Sequence, residues 1–348
     1  MPMLPRPVVA DVEVDSLARA WVKMQVDLQR APNTVAAYSR GLEHYLNFCR
    51  NAGTDAVRAG RAHIAAYIGE LAGRSRQIDE SAGNIHARHA LANASIRHRL
   101  TIVRLFYDYL LEEGLRPTNP VARGQRGARY GGIGASVRGL VPVQRRLPWI
   151  PDEVAWRAVL EAARAEPVRN RLMLSLAYDC ALRREELCLL ETGDFDPARR
   201  LLSIRAETTK TKQGRVVPYS EASAALYSAY LPQRRLLGSA RGPLFLSAST
   251  RNRAAPLTKW TWSKVVRALA IRAGEPKLTT HSFRHLCLTD LARAGWDIHE
   301  IARFAGHRSL QSTLLYIHLS ARDLSQKFAL GMAALHDQRM KLMDEAFA

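Results

Sequence analysis

Between about Val12 and Asn119 the hydrophobic positions recur with the spacing of amphipathic helices. In PNTVAAYSRGLEHYLNFCRNAG they fall on one helical face, with Asn33 as the predicted N-cap and Gly53 as the stop. The stretch ASIRHRLTIVRLFYDYLLEEG repeats this design. The apolar positions of the two stripes are Tyr38, Leu42, Tyr45, Leu46 and Cys49, then Ile96, Leu100, Val103, Tyr107 and Leu110. Helices of this kind bury their stripes against each other, so the pattern predicts a small helical bundle.

Helical periodicity returns from Leu147 onward, with one β signal inside it. The stretch RLLSIRAETTKTKQGRVVPYS has two apolar, β-prone runs around a polar turn, which predicts a hairpin with Lys210 and Lys212 near its tip. Further helices are predicted at about 260–273, 281–294, 298–304 and 310–319, and ARDLSQKFALGMAALHD forms a last amphipathic stretch. The predicted fold class is mainly α with a small β-sheet: an N-terminal helical domain followed by an α+β domain.

The segment that joins the two predicted domains is basic and rich in glycine. No acidic residue occurs between Gly114 and Pro151, and RGARYGGIGASVRG cannot hold a helix. Its arginines are Arg116, Arg123, Arg126, Arg129, Arg138, Arg145 and Arg146. We interpret the segment as an interdomain linker. The predicted division of the chain is 1–120 for the helical domain, 121–147 for the linker, 148–320 for the α+β domain and 321–348 for a helical tail.

The charge of the chain favours a polyanionic partner. Lys and Arg number 51 against 32 Asp and Glu, a net charge of +19, and both parts of the chain carry the excess: 21 − 12 = +9 for residues 1–147 and 30 − 20 = +10 for the rest. Nucleic acid is the first candidate, although the same side chains would also suit a merely solvated surface. The candidate DNA contacts are Arg97, Arg104, Arg123, Arg126, Arg129, Arg145, Arg146 and Lys212.

Cysteine usage and hydropathy indicate a cytoplasmic protein. The four cysteines form no CxxC pair and lie among apolar residues, which favours buried reduced thiols. The N-terminus lacks the basic and apolar blocks of a signal peptide, and no run of about 18 apolar residues is present. We therefore expect no membrane partner.

The stretch THSFRHLCLTDLARAGW places His281, Arg284 and His285 close together on one helix. Two histidines at i and i+4 suit zinc, but Ser282 stands where a zinc protease needs glutamate, and Arg284 would repel a cation. A phosphate fits better, because a guanidinium offers two parallel donors to its oxygens and His281 adds a third. We therefore predict no metal ligands here.

Cleaving a phosphodiester without a metal requires several fixed positive donors, a nucleophile and an acid for the leaving oxygen. Four further stretches supply these: Arg183 in SLAYDCALRREELCLLE, Lys210 in TTKTKQGRVVP, His307 in FAGHRS and Tyr316 in STLLYIHLS. Each of these residues taken alone has an ordinary structural explanation. Their order along the chain is what distinguishes them.

In that order the residues resemble the signature of the tyrosine recombinase (phage integrase) family. The signature is an arginine after a small residue and leucine, a hairpin lysine, His-x-x-Arg, Gly-His, and a tyrosine nine residues beyond that histidine. This chain has Arg183, Lys210, His281, Arg284, His307 and Tyr316. The two helical stretches before the linker also resemble the core-binding domain of the family, so the resemblance covers nearly the whole chain.

The resemblance implies a mechanism as well as a fold. Tyr316 would attack a scissile DNA phosphate to form a 3′-phosphotyrosyl bond, with Arg183 and Arg284 holding the phosphate and His281 and His307 assisting. Lys210 would protonate the leaving 5′ oxygen, and no metal, ATP or other cofactor would be needed.

Two further residues of the motifs have supporting positions, and some positions depart from the family pattern. Glu186 would orient Arg183 or a neighbouring positive group, and His285 would support the site. When residues are counted back from RVVP, Lys210 rather than Lys212 falls at the lysine position of the motif, so Lys210 is favoured as the acid for the leaving oxygen. Ala181 stands where glycine is usual, and Arg184 and Glu185 replace Ile and Ser, which we expect to alter only the packing around Arg183.

The resemblance further implies an assembly. The two domains would clamp double-stranded DNA, and four protomers would join two recombination sites through a Holliday junction, with residues 321–348 docking on a neighbouring protomer. Accessory proteins are compatible with this arrangement, and the enzyme would act at the nucleoid. The alternatives are a type IB topoisomerase that nicks and relaxes DNA, a DNA-binding protein without catalysis, and a zinc hydrolase. The target site and the kind of mobile or chromosomal element served are not encoded in these motifs.

Overall fold

The computed structural model describes residues 8–73, 90–121, 140–142, 148–238 and 240–320, together with Met332, Ala333, Leu335 and Arg339. The chain forms two compact units, Met1–Arg145 and Arg146–Ala348. The predicted linker contacts Arg123, Arg126, Arg129, Arg145 and Arg146, and most of the predicted tail, lie outside the described residues.

The described residues of the first unit form four helices around an aromatic core. They are α1 (Val8–Asp27), α2 (Pro32–Asn51), α3 (Arg61–Leu71) and α4 (Asn93–Glu112). Tyr45 and Tyr107 lie at the centre of this core, with their hydroxyl oxygens 2.6 Å apart, and the Tyr107 hydroxyl donates to the backbone oxygen of Ala56. Each buried hydroxyl thus has a partner, and the predicted bundle is confirmed.

The predicted stripes of α2 and α4 face this core, but one predicted helix start is wrong. All the stripe residues are buried except Tyr38, which packs partly buried against the core. Helix α2 begins at Pro32 with Ala31 as its N-cap, so Asn33 lies inside the first turn. Proline is well suited there, because the first helical N–H groups have no partner within the helix. Gly53 ends the helix with a φ of 62°, as predicted.

The described residues of the second unit form eight α-helices and a small sheet. The helices are α5 (Glu153–Ala163), α6 (Val168–Asp179), α7 (Arg184–Cys188), α8 (Glu221–Arg235), α9 (Lys259–Arg272), α10 (Ser282–Arg293), α11 (Ile298–Ala305) and α12 (Gln311–Ser320). The strands are β1 (Phe195–Asp196), β2 (Leu201–Ile204) and β3 (Arg215–Pro218), antiparallel in the order β1-β2-β3. The predicted class, mainly α with a small sheet, is confirmed.

Strands β2 and β3 form the predicted hairpin. Leu202 pairs with Val217 and Ile204 with Arg215, and the apolar members of these pairs are buried in the core. The short strand β1 adds to the edge of β2 and was not predicted, because two residues carry no readable alternation.

A second, smaller apolar cluster of this unit includes the predicted site residue Tyr316. It is formed by Ala181, Cys287, Leu288, Ile301, Ala305 and Tyr316. The four cysteines are free and buried, as expected. None of the helices in the described part of the chain is long and apolar enough to cross a membrane.

Candidate active site

Arg183 is held at the junction between α6 and α7. Ala181 turns the chain there with a φ of 46°, and Arg183 is the N-cap residue of α7. The carboxylate of Glu186 accepts from the Arg183 backbone N–H at 3.0 Å and from its Nη1 at 2.7 Å. Nη2 of Arg183 donates to the Gly306 backbone oxygen at 3.2 Å. The predicted contact between Glu186 and Arg183 is therefore present.

A further arginine, Arg215, also contacts Glu186, and our sequence analysis missed it. Arg215 at the start of β3 donates from Nη2 to Glu186 Oε2 at 2.8 Å and from Nη1 to Oε1 at 3.3 Å. A signal was available in the alternation of the strand: Arg215 is two residues from the buried Val217, so it lies on the inner face, whereas Val216 is exposed. A charged residue on an inner face needs a buried partner, and Glu186 is that partner.

Glu186 is ionised in spite of its burial. Its side chain is only 1% exposed, and burial by itself would raise the pKa of a carboxyl. The hydrogen bonds and charges of Arg215 and Arg183 outweigh burial and lower the pKa of Glu186 to about 2. One buried carboxylate is thus shared by two guanidinium groups.

Arg284 lies in the first turn of α10 and is almost fully buried. Its Nη1 donates to the Ala181 oxygen and its Nη2 to the Ala305 oxygen, each at 2.6 Å. Nη2 also lies 2.9 Å from His307 Nε2. Burial, together with the positive charge of Arg183, lowers the pKa of Arg284 to about 10, so it stays protonated at neutral pH. These contacts occupy three of its five N–H donors, and a further interaction of Arg284 with the Tyr316 side chain opposes the rise in the pKa of that phenol.

His307 is positioned by a left-handed glycine at the end of α11. Gly306 has a φ of 62°, which reverses the chain and points His307 back toward Arg284. Burial, followed by the charges of Arg284, Arg183 and Arg215, lowers the pKa of His307 to about 3, so the ring is neutral. Because Nε2 accepts from Arg284, the proton resides on Nδ1, which donates to Thr313 Oγ1 at 2.9 Å.

Tyr316 lies on α12, next to the side chains of His307 and His285. It is 3% exposed, its ring stacks on that of His307 with centroids 6.0 Å apart, and its hydroxyl is 2.9 Å from His285 Nδ1. Burial raises the pKa of Tyr316, and the charges of Arg284 and Arg183 oppose that rise. Burial and the neighbouring His281 and Arg284 lower the pKa of His285 to about 4, so a neutral imidazole faces the phenol.

The remaining predicted residues differ in whether the structure brings them to this centre. His281 is the N-cap residue of α10, with its ring centroid 6.3 Å from that of His285. Lys210 and Lys212 are both exposed in the connection between β2 and β3. Lys210 makes no hydrogen bond or ion pair with the other described residues, so the structure does not bring it into the cluster.

Of the two predicted DNA contacts on α4 in the first unit, Arg97 is exposed and Arg104 is half-buried. Arg104 Nε is buried and has no hydrogen-bond partner among the described residues. Arg97 therefore presents its charge to solvent from this helix, whereas part of the Arg104 guanidinium does not.

The arrangement suits chemistry on an anion. Arg183, Arg215 and Arg284 carry three positive charges against the single negative charge of Glu186, which leaves +2 beside a phenol and neutral imidazoles. Fixed positive charge of this kind stabilises a phosphate that gains negative charge in a transition state. Among the described residues, no three His, Cys, Asp or Glu side chains come together as a metal site would require.

Comparison with known proteins agrees with this geometry. Residues 152–322 match the phage integrase family, and residues 21–114 match the N-terminal SAM-like domain of phage integrases. Among relatives, the chain is 27% identical over 310 residues to tyrosine recombinase XerC of Pseudomonas fluorescens, covering 87% of this chain and 91% of that protein. It is 25% identical over 324 residues to tyrosine recombinase XerD of Corynebacterium glutamicum, covering 89% and 95%.

A solved structure shares the fold. The crystal structure of the XerH site-specific recombinase bound to a palindromic difH substrate, a post-cleavage complex, aligns with a TM-score of 0.64. The sequence identity is 17%, and the alignment covers 86% of this chain and 80% of that one. The likeness at this identity concerns the fold.

Proposed function

The chain belongs to the phage integrase family of tyrosine recombinases, and from this we propose that it is a site-specific recombinase that cleaves and rejoins double-stranded DNA through a 3′-phosphotyrosyl bond. The observation that carries the proposal is the convergence around Tyr316. Its hydroxyl lies against His285, its ring lies against His307, and His307 in turn contacts Arg284. A buried phenol surrounded by guanidinium and imidazole groups is equipped to attack a phosphate.

In the proposed cleavage step, the Tyr316 oxygen attacks the scissile phosphorus and the bond to the 5′ oxygen of the next nucleotide breaks. The neutral His285 ring accepts a hydrogen bond from the phenol and can take its proton. Arg284 and Arg183, with His281, would hold the nonbridging oxygens. His307, whose ring nitrogens contact Arg284 and Thr313, would assist by keeping the Arg284 guanidinium in place. Burial alone disfavours the phenolate, so the arginine charges are needed to make the tyrosine a nucleophile.

Lys210 is the proposed acid for the leaving oxygen. Its exposed position between β2 and β3 lets it reach a bound duplex, and protonation of the 5′ oxygen completes the exchange. The phosphotyrosyl bond retains the energy of the broken phosphodiester, so rejoining to a new 5′ hydroxyl needs neither ATP nor a metal ion. Glu186 remains an orienting group rather than a reactant.

On a larger scale, we propose that both units contact the duplex as a clamp, that four protomers exchange strands through a Holliday junction, and that the protein works in the cytoplasm at the nucleoid. The XerH structure supports the DNA partner, since that recombinase is bound to its difH substrate. The rival function is relaxation of DNA at a single site, as a type IB topoisomerase performs it. The two differ in whether a second DNA site is required.

The test is a covalent capture assay. Nicked duplexes drawn from the DNA that flanks the gene are incubated with the protein in EDTA, and adducts are resolved on a denaturing gel. We expect the wild type to form an adduct and Tyr316→Phe, which keeps the ring and loses the hydroxyl, to form none. An adduct that persists in Tyr316→Phe would overturn the nucleophile assignment. Relaxation of a one-site plasmid without exchange between two sites would favour the topoisomerase.

A further inference from the structure

Arg215 has no part in the mechanism above, yet it is bound more tightly than the arginine that serves the phosphate. Its side chain is 7% exposed, against 22% for Arg183. Both of its terminal nitrogens contact the Glu186 carboxylate, whereas Arg183 places only Nη1 there. The fork of Arg215 therefore fixes the carboxylate, and the carboxylate in turn fixes Arg183.

We propose that Arg215 is a positioning residue that keeps the Arg183 guanidinium both oriented and electrostatically available to the scissile phosphate; this inference rests on the proposed function. The reason is a charge balance. Arg183, Arg215 and Glu186 together carry +1, so one full positive charge remains for the phosphate. Without Arg215, the buried Glu186 would neutralise Arg183 and the net charge of the cluster would fall to zero.

Direct contact between Arg215 and the phosphate is disfavoured by its packing. Both Nη atoms are engaged with Glu186, and Nε is buried without a hydrogen-bond partner among the described residues. A Cβ built on Gly306 would lie 3.1 Å from Nη1 and 3.3 Å from Cδ of Arg215, which shows how closely the backbone covers this side chain. Arg215 therefore acts through Glu186 and Arg183.

The same bonds also attach the base of the hairpin to α7. Arg215 begins β3, and Glu186 belongs to α7. A purely structural role would follow from this attachment alone. The experiment must therefore separate loss of charge at the phosphate from loss of folded protein.

Cleavage rates on two substrates make this separation. One suicide duplex has an ordinary scissile phosphate, and the other has a methylphosphonate, in which a methyl group replaces one nonbridging oxygen and removes its negative charge. The ratio of the two rates does not depend on the fraction of protein that is folded. It does depend on how much positive charge the site offers, so a purely structural role leaves it unchanged.

The variants are Arg183→Ala, Arg215→Gln, Arg215→Lys and the double variant Arg183→Ala/Arg215→Gln. We expect Arg183→Ala and Arg215→Gln each to lower the phosphate-to-methylphosphonate ratio by at least about tenfold, because each removes stabilisation of developing charge. The double variant leaves Glu186 without either guanidinium, so it should lower the ratio at least as far as Arg183→Ala does. Arg215→Lys keeps the charge and should recover part of the ratio.

The control is Arg199→Gln, at an arginine on the β1–β2 turn that is 79% exposed, and it should retain the wild-type ratio. The inference is overturned if Arg215→Gln keeps the wild-type ratio while Arg183→Ala changes it, or if the double variant lowers the ratio less than Arg183→Ala does. Failure of the proposed function looks different: the wild type itself would then form no Tyr316-dependent adduct on the ordinary phosphate.

Discussion

The charge state of His307 is set by its neighbours rather than by the pH of the solution. Its pKa of about 3, against an ordinary 6.5, reflects burial and the adjacent arginines, and its tautomer follows from the Arg284 and Thr313 contacts. A neutral ring that accepts from Arg284 helps fix that guanidinium. Protonation would place two positive groups 2.9 Å apart and break the contact.

This depressed pKa predicts a loss of stability in acid. The unfolded chain binds a proton at His307 below about pH 6.5, whereas the folded chain does so only near pH 3. Stability should therefore fall as the pH drops from 6.5 toward 3, by about 1 kcal/mol per pH unit from this residue. Urea unfolding at pH 7, 6 and 5 should show a shallower pH dependence in His307→Gln than in the wild type. The matched control is His299→Gln, at an exposed histidine of α11. An unchanged slope in His307→Gln would contradict the assignment.

The choice between Lys210 and Lys212 can be decided by the leaving group. When sulfur replaces the bridging 5′ oxygen, the departing thiolate needs no acid, because a thiol is far more acidic than an alcohol. We expect Lys210→Ala to slow cleavage of the ordinary phosphate by about 10²-fold or more and to cleave the sulfur substrate at nearly the wild-type rate. Lys212→Ala should weaken DNA binding without this rescue. Rescue of Lys212→Ala instead would transfer the role to Lys212.

At the scale of elements, the junction after α11 connects backbone geometry to the site. Gly306 holds the left-handed conformation, its oxygen accepts from Arg183, and its missing side chain makes room for Arg215. Gly274, which follows α9, has nearly the same φ of 69° but nothing within 4 Å of its Cβ position. The two glycines share a backbone conformation and differ in what surrounds them.

Alanine at these two glycines should therefore have different effects. Both substitutions carry the left-handed cost of about 1–2 kcal/mol, and Gly306→Ala should lower the free energy of unfolding by about 1 kcal/mol more, because Arg215 is held by Glu186 and cannot retreat. We also expect Gly306→Ala, but not Gly274→Ala, to slow cleavage at least about tenfold. Urea unfolding and covalent capture measure the two effects. Equal losses in both variants would show that Arg215 is free to move.

Helices and strands with a strong hydrophobic periodicity were predictable from the sequence. Where the structure differs from the prediction, the cause is local. The stripe of α4 and the β2–β3 hairpin follow from the order of apolar residues alone. Asn33 was a poor N-cap prediction, since Pro32 already suits the first turn of α2. The residues that meet around Tyr316 had been selected by type and order, but Arg215 was not, because the packing of a buried ion pair depends on contacts between residues 29 positions apart.

For the whole molecule, the positive charge predicts strongly salt-dependent DNA binding. The net charge of +19 is carried by both halves of the sequence, so many phosphates should be contacted. We expect the dissociation constant for DNA to rise about 10³-fold or more between 50 and 200 mM salt, as for proteins with six to ten phosphate contacts. Tyr316→Phe should show the same salt slope, since it changes the chemistry alone. Fluorescence anisotropy measures the salt dependence of DNA binding for the wild type and for Tyr316→Phe. A shallow slope would contradict extensive contact with the DNA backbone.

The burial of Tyr316 has a consequence for the genome in which such an enzyme acts. A hydroxyl on a side chain that is 3% exposed cannot meet a phosphorus atom unless α12 or its neighbours shift. We therefore expect chance collisions with unrelated stretches of chromosome to leave both strands intact, even though the protein's charge would attract it to any duplex. Under the proposed mechanism, the burial of one hydroxyl oxygen thus separates the capacity to break DNA from the capacity to bind it.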